Sequence, residues 1–197
     1  MKKLLYLLFI MGTIELFSCG NNTKKKNPQI DSSLYLNATI KVGDTATKLA
    51  AKGLLVPNVE FEEEFELSDK TLAGIEFENA KVFTNDKRVK CLNYISKTYQ
   101  DKKEFKKVSG KLFANLCKEY DKPTLDSSYI IDKENHPDKT LCRDYKWETT
   151  SKIVFVSTHK TEWSFLGDDS YSMYAIVGIK DSVLKSHKLK GFDIAVK

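Results

Sequence analysis

The sequence is poor in the residues and motifs that most often carry chemistry. Its 197 residues include only 4 cysteines, 4 prolines and 3 histidines. No glycine-rich phosphate loop, His-Glu-x-x-His zinc motif or calcium loop is present. No apolar run approaches the roughly 20 residues that a membrane-spanning helix needs. We therefore expect neither a membrane-spanning helix nor an enzyme of a motif-bearing family.

The three histidines do not form a recognisable catalytic set. His136 lies in a predicted loop, His159 at the end of a predicted strand and His187 in the C-terminal tail, and none has a Ser-Gly or Cys motif nearby. Distant residues could still assemble in the folded chain. We predict a non-enzymatic protein with no catalytic residues and no cofactor.

Acidic residues cluster at two places without forming a metal motif. Glutamates surround Phe61, Phe65 and Leu67, where the alternation favours a strand with one solvated, charged face. Residues 167–169, Gly-Asp-Asp, contain oxygens that calcium could use, but a hairpin turn explains them better. We therefore predict no metal site.

The cysteines of the mature chain leave two alternatives open. Cys91, Cys117 and Cys142 are separated by 26 and 25 residues, and none has a second ligand close enough for a zinc signature. An exported protein meets an oxidising compartment, so one disulfide with one thiol left over would fit. Three separate buried thiols are the slightly preferred alternative.

Positive charge is concentrated towards the two ends of the chain. The net charge is +5, but lysines at 24–26 and after residue 183 account for more than that, so the chain between them is slightly acidic. A nucleic-acid-binding domain needs a clustered basic face on its folded part. We predict no nucleic-acid partner.

The N-terminus has the three parts of a secretory signal in order. Lys2 and Lys3 form a positive start, residues 4–11 are apolar, and residues 16–20 read LFSCG, a lipobox with small residues on both sides of the cysteine. The apolar run is too short to cross a bilayer. We predict cleavage before Cys19 and a lipid such as palmitate on it. Secretion without lipid and a buried N-terminal helix are the alternatives.

The rest of the chain divides into a tether, one domain and a tail. Residues 19–33 are polar, and their three lysines either meet anionic headgroups or simply keep a linker soluble. Residues 34–182 suffice for one domain with a hydrophobic core, and residues 183–197 form a basic tail. The predicted location is the cell envelope, on the outer membrane facing the periplasm.

Hydrophobic periodicity predicts strands on both sides of one long helix. Spacings of three and four predict an amphipathic helix over 103–120, and capping residues predict a short helix over 47–52. Residues 121–140 are predicted to be a polar, turn-rich loop, with a short edge contact at residues 129–131 as an alternative within it. Alternation predicts strands over 34–42, 59–67, 75–83, 88–99, 141–149, 152–159 and 171–180. This order predicts an α+β fold, an antiparallel sheet with the long helix and the short N-terminal helix packed on one face.

Several segments resemble a class of small Gram-negative envelope lipoproteins of unknown function. They are IKVGDT at 40–45, AGIE at 73–76, KEYDKP at 118–123, YKW at 145–147 and IVF at 153–155. Some members of that class have the helix-on-sheet unit of β-lactamase-inhibitor-like proteins and outer-membrane assembly lipoproteins. The resemblance, over residues 34–181, implies that fold and no catalytic residues.

Aromatic residues crowd the C-terminal strands and suggest how the protein acts. The first hypothesis is a binding or assembly module that contacts an envelope protein. Trp163 and Phe165 are the candidate contacts because they lie at a polar hairpin end, whereas Tyr145 and Trp147 are predicted to be core. The alternative is a periplasmic carrier or sensor with a small ligand between helix and sheet. An exposed aromatic patch would favour the first, and an enclosed apolar cavity the second.

Overall fold

Antiparallel strands make up most of the fold. The structure is a computed structural model and describes residues 35–57, 64–132, 138–163 and 168–179. Its strands are β1 (Leu55–Pro57), β2 (Glu64–Leu67), β3 (Thr71–Leu72), β4 (Ile75–Glu76), β5 (Asn79–Asn85), β6 (Arg88–Ile95), β7 (Leu125–Asp132), β8 (Lys139–Glu148), β9 (Ile153–Glu162) and β10 (Asp169–Gly178). Eight of them form one sheet in the order β1-β2-β5-β6-β10-β9-β8-β7, and β3 pairs with β4 separately.

Two helices accompany the sheet, α1 (Ala46–Ala51) and α2 (Lys102–Tyr120). Asp101 begins α2 because its carboxylate accepts a hydrogen bond of 2.8 Å from the backbone N–H of Lys103, one of the amides that a helix start leaves unpaired. The range of α2 confirms the helix that the sequence predicts over 103–120. No helix in the described ranges is long and apolar enough to span a membrane.

The predicted α+β fold class is wrong. The structure is mostly sheet and only 20% helical, with an eight-stranded antiparallel sheet and a small second sheet. Neither helix forms a layer on the sheet, although buried side chains of α2 such as Phe105 and Leu112 belong to the same core cluster as strand residues. The main error concerns the predicted loop over 121–140, where β7 instead pairs with β8 over eight residues. Backbone hydrogen bonds to β8 hold β7 in the sheet. The polar composition of β7 gives too little apolar alternation to predict a strand of that length.

The predicted first strand, over 34–42, is also wrong for the residues that the structure describes. Here the chain forms bends and turns, with one isolated bridge between Tyr35 and Lys41. The side-chain oxygen of Asn37 accepts hydrogen bonds from the backbone N–H groups of Thr39 and Ile40, at 2.9 and 2.8 Å. Asparagine commonly stabilises a turn in this way, and its hydrogen bonds replace those of a strand ladder.

Hydrophobic side chains are buried on both faces of the central strands. Leu92 and Ala175 belong to the larger cluster, which includes the buried residues of α2, whereas Phe155 and Ile176 belong to a smaller one. Residues 91–94 of β6 are all buried, so this strand contributes to both faces. A sheet buried on both faces explains why simple alternation describes its central strands poorly.

Candidate functional site

An open groove of about 540 Å³ lies between the start of α2 and the last strands of the sheet. We call it the β7 groove. Its main lining residues are Phe105 and Lys106 of α2, Ile130 of β7, Leu141 and Arg143 of β8, and Tyr171 of β10. Thr158 and Lys160 of β9 also line it, so residues from one helix and four strands converge on the groove.

The floor of the β7 groove is aromatic and held in place. The rings of Phe105 and Tyr171 stack with centroids 5.5 Å apart and an angle of 27° between their planes. The ring of Tyr99 packs against Phe105 at 5.6 Å, and the hydroxyl of Tyr171 donates a hydrogen bond of 3.1 Å to Asp169. Aromatic rings that are already ordered lose little entropy when a ligand covers them.

The rim of the groove exposes two neighbouring apolar side chains. Ile130 and Leu141 are paired across β7 and β8. Their exposed fractions are 61% and 37%, unusually high for large aliphatic residues. They line the same groove as the aromatic floor, with Lys160 of β9 between Leu141 and Tyr171 in the strand register. Exposed apolar side chains grouped in this way commonly mark binding sites.

Positive charge remains at the helical wall of the groove. Arg143 donates two hydrogen bonds, of 3.0 and 2.9 Å, to Asp126, and Lys160 forms ion pairs with both Glu162 and Asp169. In contrast, Lys102 and Lys106 form no ion pair with any residue that the structure describes. These exposed ammonium groups can attract an acidic ligand.

A second constellation lies on the opposite face of β8 and β9. Ser157 donates a hydrogen bond of 2.5 Å to Oδ1 of Asp144, and its oxygen lies 2.9 Å from Nε2 of His159. Oδ2 of Asp144 and the hydroxyl of Tyr129 are buried without a hydrogen bond of regular geometry. Burial raises the pKa of both groups, and each is close enough to affect the pKa of the other.

This constellation does not have the geometry of a nucleophilic serine site. Such a site places the histidine between the serine and the acid, so that the histidine accepts the serine proton. Here Ser157 lies between the histidine and the acid, and its only hydroxyl hydrogen is donated in the hydrogen bond to Asp144. The contact with His159 is therefore a hydrogen bond in which Nε2 of His159 donates to Ser157. Ser157 has no exposed surface, and burial raises the pKa of the neighbouring Cys142 thiol to about 11. A protonated thiol is a poor nucleophile.

Sequence reasoning missed this grouping of Asp144, Ser157 and His159. We noted that no Ser-Gly or Cys motif lies beside a histidine, but the partners are 2 and 13 residues apart along the chain. The available signal was polar residues at alternate positions of two apolar strands, since such residues share one face. Only the pairing of β8 with β9 sets Asp144 opposite Ser157.

Trp163 is the only one of the predicted partner contacts within the described residues; Phe165 lies outside them, as does Cys19, the predicted lipidation site. Trp163 is 43% exposed, and its indole N–H donates a hydrogen bond of 2.8 Å to Ser170. It does not line the β7 groove, so the structure does not bring the two surfaces together. Its role as a contact stays a prediction.

The predicted core position of Trp147 is confirmed, since it is buried and donates a hydrogen bond of 3.0 Å to the backbone oxygen of Asp121. Cys91, Cys117 and Cys142 are buried and form no disulfide within the described residues, as in the second of the two alternatives. Within the described residues, no three His, Cys, Asp or Glu side chains group closely enough to hold a metal ion.

Comparisons of the chain with protein-family models, with curated proteins and with solved structures found no match. The resemblance to envelope lipoproteins therefore depends on the sequence segments alone. Any function has to be argued from the chemistry of the surfaces described above.

Proposed function

We propose that this protein is a cell-envelope lipoprotein, held on a membrane by lipid on Cys19, and that its domain binds an extended segment of a partner protein in the β7 groove. The observation that carries the proposal is the exposed pair Ile130 and Leu141 beside the aromatic floor. Such a module acts by contact and needs no catalytic residue.

The position of β7 favours a polypeptide as the occupant. β7 is the last strand of the sheet, so its outer edge pairs with no other strand of the described part of the chain. An extended segment can add to such an edge through backbone hydrogen bonds. Its alternate side chains would then lie on the same face as Ile130 and enter the groove.

The charge of the groove indicates the composition of that segment. The wall formed by α2 presents Lys102 and Lys106 without acidic partners among the described residues. A segment that places apolar side chains on the floor and acidic side chains near these lysines would satisfy both features. We therefore expect a partner segment in which apolar and acidic residues are mixed.

The test is a binding titration with defined peptides. A fluorescent peptide of leucine and glutamate should bind the purified domain, and a peptide in which lysine replaces glutamate should not. The double substitution Ile130→Ser and Leu141→Ser should weaken binding at least about tenfold, or about 1.4 kcal/mol. Because both side chains are exposed, melting should barely change.

The control is Val56→Ser. Val56 is 54% exposed on β1, at the opposite edge of the sheet from β7, so its replacement removes an exposed apolar side chain that lies away from the groove. It should leave peptide binding unchanged. Failure of the wild-type domain to bind the acidic peptide, or equal binding by the double variant, would overturn the proposal.

A further inference from the structure

A second cavity, of about 770 Å³, lies at the opposite end of α2 from the β7 groove. We call it the Lys152 cavity. The N-terminal segment around Leu36, the hairpin of β3 and β4 with Leu72, the last turn of α2 with Leu116, and the turn before β9 with Lys152 enclose it. Its volume falls in the range of about 300–1,000 Å³ that is typical of small-molecule sites.

The most unusual lining residue is Lys152, which is only 7% exposed. Its ammonium donates a hydrogen bond of 2.7 Å to the backbone oxygen of Tyr35 and lies 5.1 Å from the ring centroid of Tyr120. Burial lowers the pKa of Lys152, and the charge of Glu119 partly opposes that shift. Lysine is rarely buried to this extent unless it is paired.

No carboxylate of the described residues forms an ion pair with Lys152. An ammonium has three N–H donors, and the carbonyl of Tyr35 accepts only one of them. A buried charge without an ion-paired carboxylate is costly, and such a charge beside a cavity is a candidate ligand-binding group.

We propose that the Lys152 cavity binds a small apolar carboxylate, whose anionic head pairs with Lys152 and whose hydrocarbon body contacts the buried leucines of the cavity wall. The ligand site is separate from the β7 groove and does not depend on the function proposed for that groove. A domain with such a site would also carry or sense a small envelope metabolite.

The other polar groups of the cavity agree with a single carboxylate head. Asn37 also lines the cavity; its amide nitrogen is buried, forms no hydrogen bond of regular geometry and lies close enough to the Tyr94 hydroxyl to affect the pKa of Tyr94, so one of its two N–H groups is left as a second donor. Asp69 and Glu119 are exposed at the cavity and would repel ligands that carry several negative charges. Nucleotides and other polyphosphates are therefore a poor match.

Calorimetric titration with 4-methylpentanoate, a branched apolar monocarboxylate, tests the proposal on the purified mature protein. Wild-type protein should bind it, and 4-methylpentanol, which has no carboxylate, should bind at least about tenfold more weakly. Lys152→Met should weaken carboxylate binding by a similar factor. Lys106→Met, in the β7 groove, should have no effect, which separates this site from the groove.

A measurement on the unaltered chain covers the case in which Lys152→Met fails to fold. Reductive methylation, followed by mass spectrometry, reports how fast each lysine reacts. 4-Methylpentanoate should slow the methylation of Lys152 several-fold while Lys106 reacts at an unchanged rate. Lys152 could instead serve only to hold the N-terminal segment through Tyr35. Wild-type protein would then bind neither compound, and 4-methylpentanoate would not slow the methylation of Lys152. That result would show that the proposal is wrong.

Discussion

Ser157 donates a hydrogen bond of 2.5 Å to Asp144, whose side chain has no exposed surface. Burial raises the pKa of Asp144 above its ordinary value of 3.8, and the hydrogen bond from Ser157 and the nearby hydroxyl of Tyr129 partly oppose the shift. The folded state therefore holds this proton more tightly than the unfolded state does. As the pH rises through the range above 3.8, ionisation of Asp144 lowers the free energy of unfolding.

Asp144→Asn should remove this contribution because asparagine does not titrate and can still accept the hydrogen bond from Ser157. The melting temperature of the variant, relative to wild type, should rise as the pH increases from acidic towards neutral values. Asp86→Asn, at an exposed turn position, is the control substitution. A melting difference for Asp144→Asn that stays constant with pH would contradict the prediction.

Gly178 is required by the close approach of β10 to β6. A Cβ atom at this position would overlap the Cβ of Cys91, its paired residue, and come within 2.9 Å of the Cα of Cys91. Gly178→Ala must force the strands apart, so chemical denaturation should show a loss of about 1–3 kcal/mol in the free energy of unfolding. Cys91→Gly in the same chain should recover part of that loss, because it removes the overlapping Cβ. No coupling between the two substitutions would argue against this explanation.

Leu112 should contribute far more to stability than its neighbour on α2. Leu112 is 1% exposed, whereas Lys111 is exposed. Leu112→Ala should lower the free energy of unfolding by about 2–5 kcal/mol, because it leaves a cavity in the larger core cluster. Lys111→Ala should cost less than about 0.5 kcal/mol. Urea denaturation of both variants checks this, and similar small effects would mean that α2 does not pack at Leu112.

Lipidation at Cys19 is a prediction from the sequence, and the residue lies outside the described part of the chain. Cys19→Ala should abolish incorporation of a fatty-acid analogue and release the protein from membranes, because the anchor consists of that lipid. Metabolic labelling of cells that express each form makes the comparison. Equal labelling of variant and wild type would show that the lipid is elsewhere or absent.

Trp163 and Phe165 remain the contact predicted from the sequence. Replacing both with alanine should leave the melting temperature nearly unchanged and abolish crosslinking to an envelope partner, since aromatic residues near water often dominate binding. The double variant Ile130→Ser and Leu141→Ser, crosslinked in the same way, shows how much the β7 groove contributes to that contact. A large fall in melting temperature would instead identify the two aromatic residues as part of the core.

Local patterns identified the elements whose signal lies in neighbouring residues. The three-and-four spacing of Phe105, Val108, Leu112 and Leu116 located α2 to within one residue, because a helix brings such positions onto one side. Alternation likewise located β8, β9 and β10 to within a few residues. Alternation did not predict a full strand within residues 121–140, because β7 is an edge strand whose pairing with β8 does not require apolar side chains.

The sequence by itself determined where helix and strands tend to form, since those tendencies depend on residues a few positions apart. Only the tertiary structure decided the three sites, because each combines residues that are distant along the chain. Register across β8 and β9 joins Asp144 to Ser157, and the turn before β9 brings Lys152 to Tyr35, 117 residues away. Long-range pairing sets such contacts, and no local periodicity encodes it.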